Sequence, residues 1–254
     1  MPLLSVVIPV FNEQDTIQDV VRAVFGLPVD LEVVVVDDCS TDGTATALQE
    51  LQRIFPSLRV FRHEKNGGKT EAVKTGIANT VGEIVIVQDA DLEQNPMEIP
   101  RIIEPIVTGK ADAAFGSRFL LKTQLAAMTL RQTIGNRLVT WWFNLLSGQE
   151  VSDVETGYKA IRGSIFRAMV LTSKGFGMEI EIPAKLAKLS IAVSEVPISY
   201  QPRNYDNGKK IRLQDGFAAL WYIVKYNWFC SRKRSFRPLA AKPTEALSGK
   251  KASS

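Results

Sequence analysis

Short apolar runs alternate with stretches of helical periodicity through the first half of the chain. The apolar runs predict strands at residues 4–9, 31–37, 58–62, 83–88 and 111–115. Between the strands, apolar residues recur every three or four positions, as at Ile17, Val20 and Val24, which predicts amphipathic helices. Asn12 and Thr41 are the predicted N-caps of the first two helices. This alternation is typical of βα units, so we predict an α/β fold with a mainly parallel central sheet flanked by helices.

The second half carries two amphipathic stripes that are rich in tryptophan. One stripe comprises Ile134, Leu138, Trp141, Trp142 and Leu145, and the other comprises Leu213, Phe217, Leu220, Trp221, Val224 and Trp228. A cluster of basic residues begins at Arg232, directly after the second stripe. Such C-terminal amphipathic helices suit a membrane interface, although helices that close the core or pair with each other would give the same pattern. The composition of residues 236–254 predicts a disordered basic tail.

The composition is that of an ordinary soluble protein with one main domain. The chain has 254 residues, of which 45% are apolar and 23% are charged, and we assign residues 1–235 to that domain. Cys39 and Cys230 lack the spacing of a metal site, which indicates a reducing compartment. No basic leader and no apolar run of membrane-spanning length is visible. We therefore expect a cytoplasmic protein whose membrane contact is peripheral.

Acidic residues follow three of the predicted strands, at the edge where open α/β sheets bind their ligands. Two carboxylates one residue apart at a strand's end can converge on a hard cation, Mg²⁺ or Mn²⁺, and leave coordination positions for phosphate oxygens. We therefore predict a site for a nucleotide diphosphate. The acids are Glu13 after the first strand, Asp37 and Asp38 at the second, and Asp89 and Asp91 after the fourth, with Glu93 as a third candidate metal ligand.

Three segments together resemble the inverting glycosyltransferases of family two, which have the GT-A fold. These segments are residues 7–13, 35–44 and 89–91, and they keep the order and spacing of that family. The resemblance implies that Asp91 holds the metal on the diphosphate and that Asp89 lies on its sugar and metal side. Cys39 stands where many relatives have glycine. The implied donor site comprises Pro9, Phe11, Glu13, an acid of the pair Asp37 and Asp38, Lys69, Asp89, Ala90 and Asp91.

The stretch Asn-Gly-Gly-Lys-Thr at residues 66–70 is similar to the end of a phosphate-binding P-loop. That motif needs a first glycine at position 63, which is His63 here, so we exclude a P-loop. In the family that the chain resembles, this stretch approaches the nucleotide, which makes Lys69 a candidate phosphate contact. A plain turn before a helix explains the same residues equally well.

Later segments resemble the polyprenyl-phosphate sugar transferases, of the dolichyl-phosphate mannose or glucose synthase type. These segments are residues 116–119, 152–159, 195–200 and 203–211. The resemblance implies a donor-binding half, 1–120, and an acceptor and membrane-interface half, 121–235. It also implies that Arg118, Arg131, Arg203 and Lys209 bind the acceptor phosphate. Guanidinium forks and a mobile ammonium group suit that ligand.

The chain has a single histidine, His63, which we interpret as structural. A lipid phosphate is already anionic at neutral pH and needs no general base, since its second pKa is about 6. We therefore expect metal-dependent inverting transfer of a hexose, from GDP-mannose or UDP-glucose to a polyprenyl phosphate, with Asp89, Asp91 and Arg118 as the catalytic residues. A hydroxyl acceptor would instead require a base, for which Asp153 and Glu155 are candidates and which Asp89 could assist. A non-catalytic nucleotide-binding subunit is a further alternative.

The expected partners follow from the same interpretation. They are a nucleotide diphosphate sugar, a polyprenyl phosphate and an anionic membrane surface, with a membrane-protein partner as a further candidate. The net charge of +4 is mild, the basic residues concentrate near the end of the chain, and no nucleic-acid motif is present. We therefore expect no nucleic-acid partner.

Overall fold

A seven-stranded mixed sheet lies at the centre of the protein. The structure is a computed structural model that describes residues 3–121, 128–175, 177–202 and 213–238, with backbone only for 213–217. Strands β1 to β4 are parallel, β6 is antiparallel to β4 and β5, and β7 is parallel to β5. The spatial order is β3-β2-β1-β4-β6-β5-β7. The strands are β1 Leu4–Val10, β2 Leu31–Asp37, β3 Arg59–Arg62, β4 Ile84–Val87, β5 Ala113–Ser117, β6 Lys159–Arg162 and β7 Val193–Pro197.

Helices cover both faces of the sheet, because successive side chains of each strand point to opposite faces. Leu4, Val6 and Ile8 of β1 lie in one apolar core, and Val7 lies in the other. The first core includes side chains of α1, α2 and α4, and the second includes side chains of α3, α5, α6, α7 and α8. The helices are α1 Ile17–Phe25, α2 Thr44–Ile54, α3 Lys69–Ala78, α4 Ile99–Val107, α5 Leu130–Ser147, α6 Gly163–Ala168, α7 Met178–Ala187, α8 Leu213–Trp228 and α9 Arg232–Ser235.

The fold class predicted from the sequence is confirmed. All five predicted strands are present, and their ends differ from the prediction by no more than two residues. The sequence pattern does not indicate β6, because its first residue is the charged Lys159, which the fold buries almost completely. The predicted N-caps are wrong, since α1 begins at Ile17 after Thr16 and α2 begins at Thr44 after Gly43.

Helices α5 and α8 pack together and contribute one side each to the core. Val139 and Phe143 of α5 and Ile223 and Tyr226 of α8 are buried there. The opposite sides of these helices are also apolar, yet they face solvent. Their exposed residues, between 39% and 75% accessible, are Leu130, Ile134, Leu138, Trp141, Leu145, Leu220, Trp221 and Trp228. Within the residues that the structure describes, no helix combines the length and apolar character needed to cross a membrane.

The body of the protein extends slightly past the predicted start of the tail at residue 236. Phe236 is 8% exposed and forms a β-bridge with Met169. The backbone N–H of Arg237 donates to the carbonyl of Ala168 at 2.8 Å. Residues 239–254, which make up most of the predicted tail, lie outside the described residues.

Two glycines offer a paired test of the packing of the helices. A Cβ atom at Gly76 in α3 would lie 2.3 Å from Cγ1 of Val7, whereas a Cβ atom at Gly135 in α5 would meet nothing within 4 Å. We expect Gly76→Ala to lower the free energy of unfolding by about 1–3 kcal/mol through overpacking. Gly135→Ala should raise it by up to about 1 kcal/mol, because alanine has the higher helix propensity. Urea unfolding would measure both, and equal effects of the two changes would contradict the described packing.

Candidate active site

Strained turns follow three of the parallel strands at the carboxyl edge of the sheet. Asn12, Cys39 and Leu92 have φ values of 55°, 67° and 59°, in the left-handed region. Non-glycine residues adopt that region at a cost of about 1 kcal/mol or more and concentrate at functional sites. The value at Cys39 also explains why glycine is common at this position in the family that the chain resembles. The strain marks this edge as the candidate site.

The turns after β1 and β2 are joined by hydrogen bonds. The side chain of Asn12 accepts from the backbone N–H of Thr41 at 2.8 Å, so both predicted N-caps instead connect the two turns. The backbone N–H groups of Asn12 and Glu13 donate to Ser40 Oγ at 3.0 Å and Thr44 Oγ1 at 2.9 Å. Phe11 is 43% exposed at the same edge, whereas Pro9 is buried in β1. The fold thus presents Phe11 and Glu13 next to the end of β2.

The carboxylates of Asp37 and Asp38 are almost completely buried. Asp37 accepts from the backbone N–H of Ser40 at 2.8 Å and lies 3.2 Å from Arg62 Nη1. Asp38 contacts Nδ1 of His63 at 2.7 Å. It also accepts from the backbone N–H groups of Gly67 and Gly68, at 2.9 and 2.6 Å. These acids therefore hold the loops of the site in place, and their contact with a base or ribose stays a prediction.

His63 connects two elements below the glycine-rich loop. Its Nδ1 contacts Asp38 at 2.7 Å and its Nε2 contacts Thr75 Oγ1 at 2.9 Å. Both ring nitrogens are therefore engaged within the protein. These contacts support the structural interpretation of this histidine.

Three carboxylates gather in the turn after β4. Asp89, Asp91 and Glu93 follow the buried strand and are each partly exposed, while Ala90 between them is buried. Burial raises the pKa of Asp91, and the negative charges of Asp89 and Glu93 raise it further, to about 7. A divalent cation would relieve this repulsion. The acids therefore form a donor set that fits Mg²⁺ or Mn²⁺.

The carboxylates would supply only part of a coordination shell. Within the described ranges, no three His, Cys, Asp or Glu side chains are arranged to enclose a metal ion. Mg²⁺ is commonly held by one or two carboxylates together with substrate phosphates and water. The arrangement therefore fits a metal site that a bound diphosphate completes.

Lys69 lies beside the acids rather than extending into open space. Its Nζ is 2.6 Å from Asp89 Oδ1 and 3.1 Å from Glu179 Oε1. Burial lowers the pKa of the Lys69 ammonium, but the charges of Asp89 and Glu179 outweigh that effect and raise it above its ordinary value. Lys69 thus remains a cation held against the turn that carries Asp89. Its predicted contact with a phosphate is not tested by this geometry.

Arg118 is fixed by a bidentate ion pair next to the same turn. Its Nε and Nη2 donate to the two carboxylate oxygens of Asp153 at 2.7 and 2.8 Å. Its guanidinium also lies over the ring of Tyr200, whose hydroxyl donates to Glu93 Oε2 at 3.2 Å. Nη1 of Arg118 takes no part in the pair with Asp153. Arg118 therefore offers one rigidly placed donor near the acids.

Of the other three predicted phosphate ligands, the structure describes one. Arg131 is exposed in the first turn of α5. Arg203 and Lys209 lie outside the described residues. The structure therefore brings Arg118 together with the acids after β4 and leaves the remainder of the set a prediction.

The two candidate bases differ in their surroundings. Burial raises the pKa of Asp153, but Arg118 outweighs that effect and holds it below its usual range. Burial raises the pKa of Glu155 above its usual range, although Arg118 opposes the increase. Glu155 is therefore the better proton acceptor of the two, because its pKa is raised whereas the ion pair with Arg118 lowers that of Asp153.

Several residues of the site escape the sequence analysis because their contacts join distant segments. The hydroxyl of Tyr158 donates to the side chain of Gln88 at the end of β4. Glu179 and Lys159 form a buried ion pair at 3.0 Å behind Lys69. One signal was available, since Glu179 stands between the apolar residues Met178 and Ile180 near the start of a helix. A charged residue at such a position needs a partner.

Comparison with known proteins places these features in context. The family model described as Glycosyl transferase family 2 matches residues 5–169. The chain is 31% identical over 201 residues to Glycosyltransferase AglJ of Haloferax volcanii, covering 79% of this chain and 63% of that protein. It is 32% identical over 205 residues to Dolichol-phosphate mannosyltransferase of Pyrococcus furiosus, covering 78% and 56%. The chain thus spans less than two thirds of either relative.

Solved structures share the fold. Glucosyl-3-phosphoglycerate synthase from Mycobacterium tuberculosis, in complex with Mn²⁺, UDP and phosphoglyceric acid, superposes with a TM-score of 0.66 at 23% identity. The match covers 89% of this chain and 79% of that chain. The same enzyme in complex with Mg²⁺ and UDP gives a TM-score of 0.66 at 21% identity, with the same coverage. These likenesses establish the predicted GT-A fold.

The crowded carboxylates predict a pH-dependent loss of stability. Because the pKa of Asp91 is about 7 in the folded state and near 3.9 when unfolded, stability should fall as the pH rises through this range. Asp91→Asn removes the loss, so its gain in Tm with EDTA present should be larger at pH 8 than at pH 5. The exposed Asp19→Asn is the control and should show no such increase. A gain from Asp91→Asn that is equal at both pH values would contradict the raised pKa.

Proposed function

Since the chain belongs to glycosyl transferase family 2, we propose that it transfers a hexose from a nucleotide diphosphate sugar to a polyprenyl phosphate at a membrane surface. GDP-mannose and UDP-glucose are the candidate donors. The observation that carries the proposal is the cluster of Asp89, Asp91 and Glu93 at the carboxyl edge of the sheet, where mutual repulsion favours a cation. The relative named as a dolichol-phosphate mannosyltransferase supports the acceptor class.

Asp89 and Asp91 would hold Mg²⁺ or Mn²⁺, with Glu93 beside them. The structural neighbours crystallised with Mn²⁺ or Mg²⁺ and UDP support this choice. When bound, such an ion neutralises charge that develops on a departing diphosphate. Phe11 offers an exposed ring to the base of the nucleotide, next to Glu13.

Arg118 is the described residue best placed to receive the acceptor phosphate. Its ion pair with Asp153 fixes the guanidinium through Nε and Nη2 and leaves Nη1 outside that pair. Arg131, Arg203 and Lys209 would complete the cationic site. An anionic phosphate oxygen then attacks the anomeric carbon while the bond to the diphosphate breaks on the opposite face, which inverts the configuration. No proton has to be removed, because the nucleophile is already ionised.

Incubation of the protein with a short polyprenyl phosphate, Mg²⁺ or Mn²⁺ and a panel of nucleotide sugars would test this function. We expect one lipid-linked hexose, detected by mass and of inverted configuration by NMR. The double change Asp89→Ala and Asp91→Ala should lower turnover at least 100-fold, about the loss expected when a major electrostatic contribution disappears. Asp112→Asn, at the start of β5 on the opposite edge, should keep activity. A retained configuration, or full activity of the double variant or with chelator, would refute the proposal.

A hydroxyl acceptor is the second candidate function, and Glu155 is the observation that favours it. Its raised pKa and partial burial are properties of a general base. In that case Glu155→Gln should abolish transfer without weakening donor binding. If the acceptor is a phosphate, the same variant should retain most of its turnover, so this one comparison separates the two acceptors.

The exposed apolar sides of α5 and α8 support the proposed membrane surface, at the cytoplasmic face. They form a groove of 520 Å³ lined by Leu138, Trp141, Trp142, Leu220, Trp221 and Val224. Basic residues accompany it, since α9 begins with Arg232, Lys233 and Arg234 directly after α8. Tryptophan beside basic residues matches the interface of an anionic leaflet. The exposed apolar sides of α5 and α8 therefore fit an anionic leaflet better than they fit bulk water.

Vesicle flotation would test this surface. The paired change Trp141→Ser and Trp221→Ser should weaken binding to vesicles rich in anionic lipid by roughly tenfold or more, because both rings are about 60% exposed and lose apolar area that the membrane would bury. Val107→Ser, at an exposed apolar position of α4, is the control and should bind normally. Binding should also weaken with salt. Wild-type protein that stays unbound at every anionic content would refute the membrane surface and would favour a protein partner for this face.

A further inference from the structure

Glu179 lies behind the proposed metal site without belonging to the metal-binding turn. We propose that Glu179 is a positioning residue that offsets the charge of Lys69 beside Asp89 and thereby sets the affinity of the site for a divalent cation. The inference rests on the proposed function, since it concerns the metal assigned there to Asp89 and Asp91. It adds a residue of α7 to a site otherwise assigned to the turn after β4.

Four buried or half-buried charges form a continuous chain. Asp89 contacts Lys69 at 2.6 Å, and Lys69 contacts Oε1 of Glu179 at 3.1 Å. Oε2 of Glu179 contacts Lys159 at 3.0 Å. The charges alternate in sign, so Lys69 lies between two carboxylates and Lys159 contacts one. Glu179 is the one member that contacts both lysines.

The positive charge of Lys69 opposes cation binding at Asp89, and the negative charge of Glu179 reduces that opposition. An ammonium group within 3 Å of Asp89 repels any cation that binds to the same carboxylate. A negative charge on the far side of the ammonium reduces that repulsion, and it also competes with Asp89 for the Lys69 protons. Burial raises the pKa of Glu179, but Lys159 and Lys69 outweigh this effect and keep the carboxylate ionised. Glu179 therefore makes Asp89 more available to a cation.

A neighbouring ion pair on the same helix provides a matched control. Glu181 pairs with Lys185 at 2.5 Å, and both side chains are completely buried. Glu181 also accepts from the backbone N–H groups of Thr172 and Ser173, which lie in the segment between α6 and α7. Its loss should harm folding as much as the loss of Glu179. It has no contact with Lys69 or Asp89, however, and should leave cation affinity unchanged.

The experiment measures Mn²⁺ binding directly, by electron paramagnetic resonance of free Mn²⁺, with and without UDP or GDP. Glu179→Gln should raise the Kd for Mn²⁺ about tenfold or more, because it removes one nearby negative charge without changing shape. Glu181→Gln should keep the wild-type Kd even if its Tm falls. The double variant Glu179→Gln with Lys159→Met removes one charge of each sign, so it should recover a large part of the affinity.

The restored charge balance in the variant Glu179→Gln with Lys159→Met separates an electrostatic effect from structural damage. A purely structural role predicts that losing Lys159 as well makes binding worse, which would overturn the inference. An unchanged Kd in Glu179→Gln would also overturn it, while leaving the proposed function intact. If wild-type protein binds Mn²⁺ no better than the double variant of Asp89→Ala and Asp91→Ala, the metal site itself is wrong and both proposals fail.

Discussion

Repulsion among carboxylates after β4 is the interaction on which the rest of the site depends. The parallel sheet brings Asp89 and Asp91 to its carboxyl edge, and burial there makes their simultaneous ionisation unfavourable enough to raise the pKa of Asp91 to about 7. Lys69 compensates one of the two charges by direct contact with Asp89. Asp91 stays crowded by the negative charges of Asp89 and Glu93, a state that favours a cation. The surrounding residues keep these carboxylates close together.

Keeping the carboxylates together requires a strained backbone and buried charges, both of which destabilise a protein. Leu92, between Asp91 and Glu93, has a left-handed backbone, and Lys159 is buried with its ammonium group against Glu179. Removing one partner of a buried ion pair is strongly destabilising, so these charges are kept as pairs. The apolar cores on both faces of the sheet provide the stability against which such costs are tolerated.

The sequence predicts the parts of this structure that are local. Apolar runs locate five of the seven strands to within two residues, and the Asp-x-Asp pair identifies the edge where the carboxylates meet. It does not predict Glu179, because 90 residues separate this glutamate from Asp89 and only the fold brings α7 under the turn. It also misplaces the N-caps, since Asn12 pairs with Thr41 across two turns rather than capping its own helix. Long-range pairing is the common reason for both differences.

The environment of the acidic residues near Arg118 bears on the nature of the acceptor. Asp153 accepts three hydrogen bonds from Arg118 alone, so deprotonating a hydroxyl would require it to give up the contacts that fix the guanidinium. Glu155 lacks such a commitment, yet the same guanidinium lowers its basicity by stabilising its charge. A cation fixed in front of the candidate bases is better suited to attract an anion than to help a base accept a proton. The electrostatics of this corner therefore favour a nucleophile that arrives already ionised, as a phosphate does.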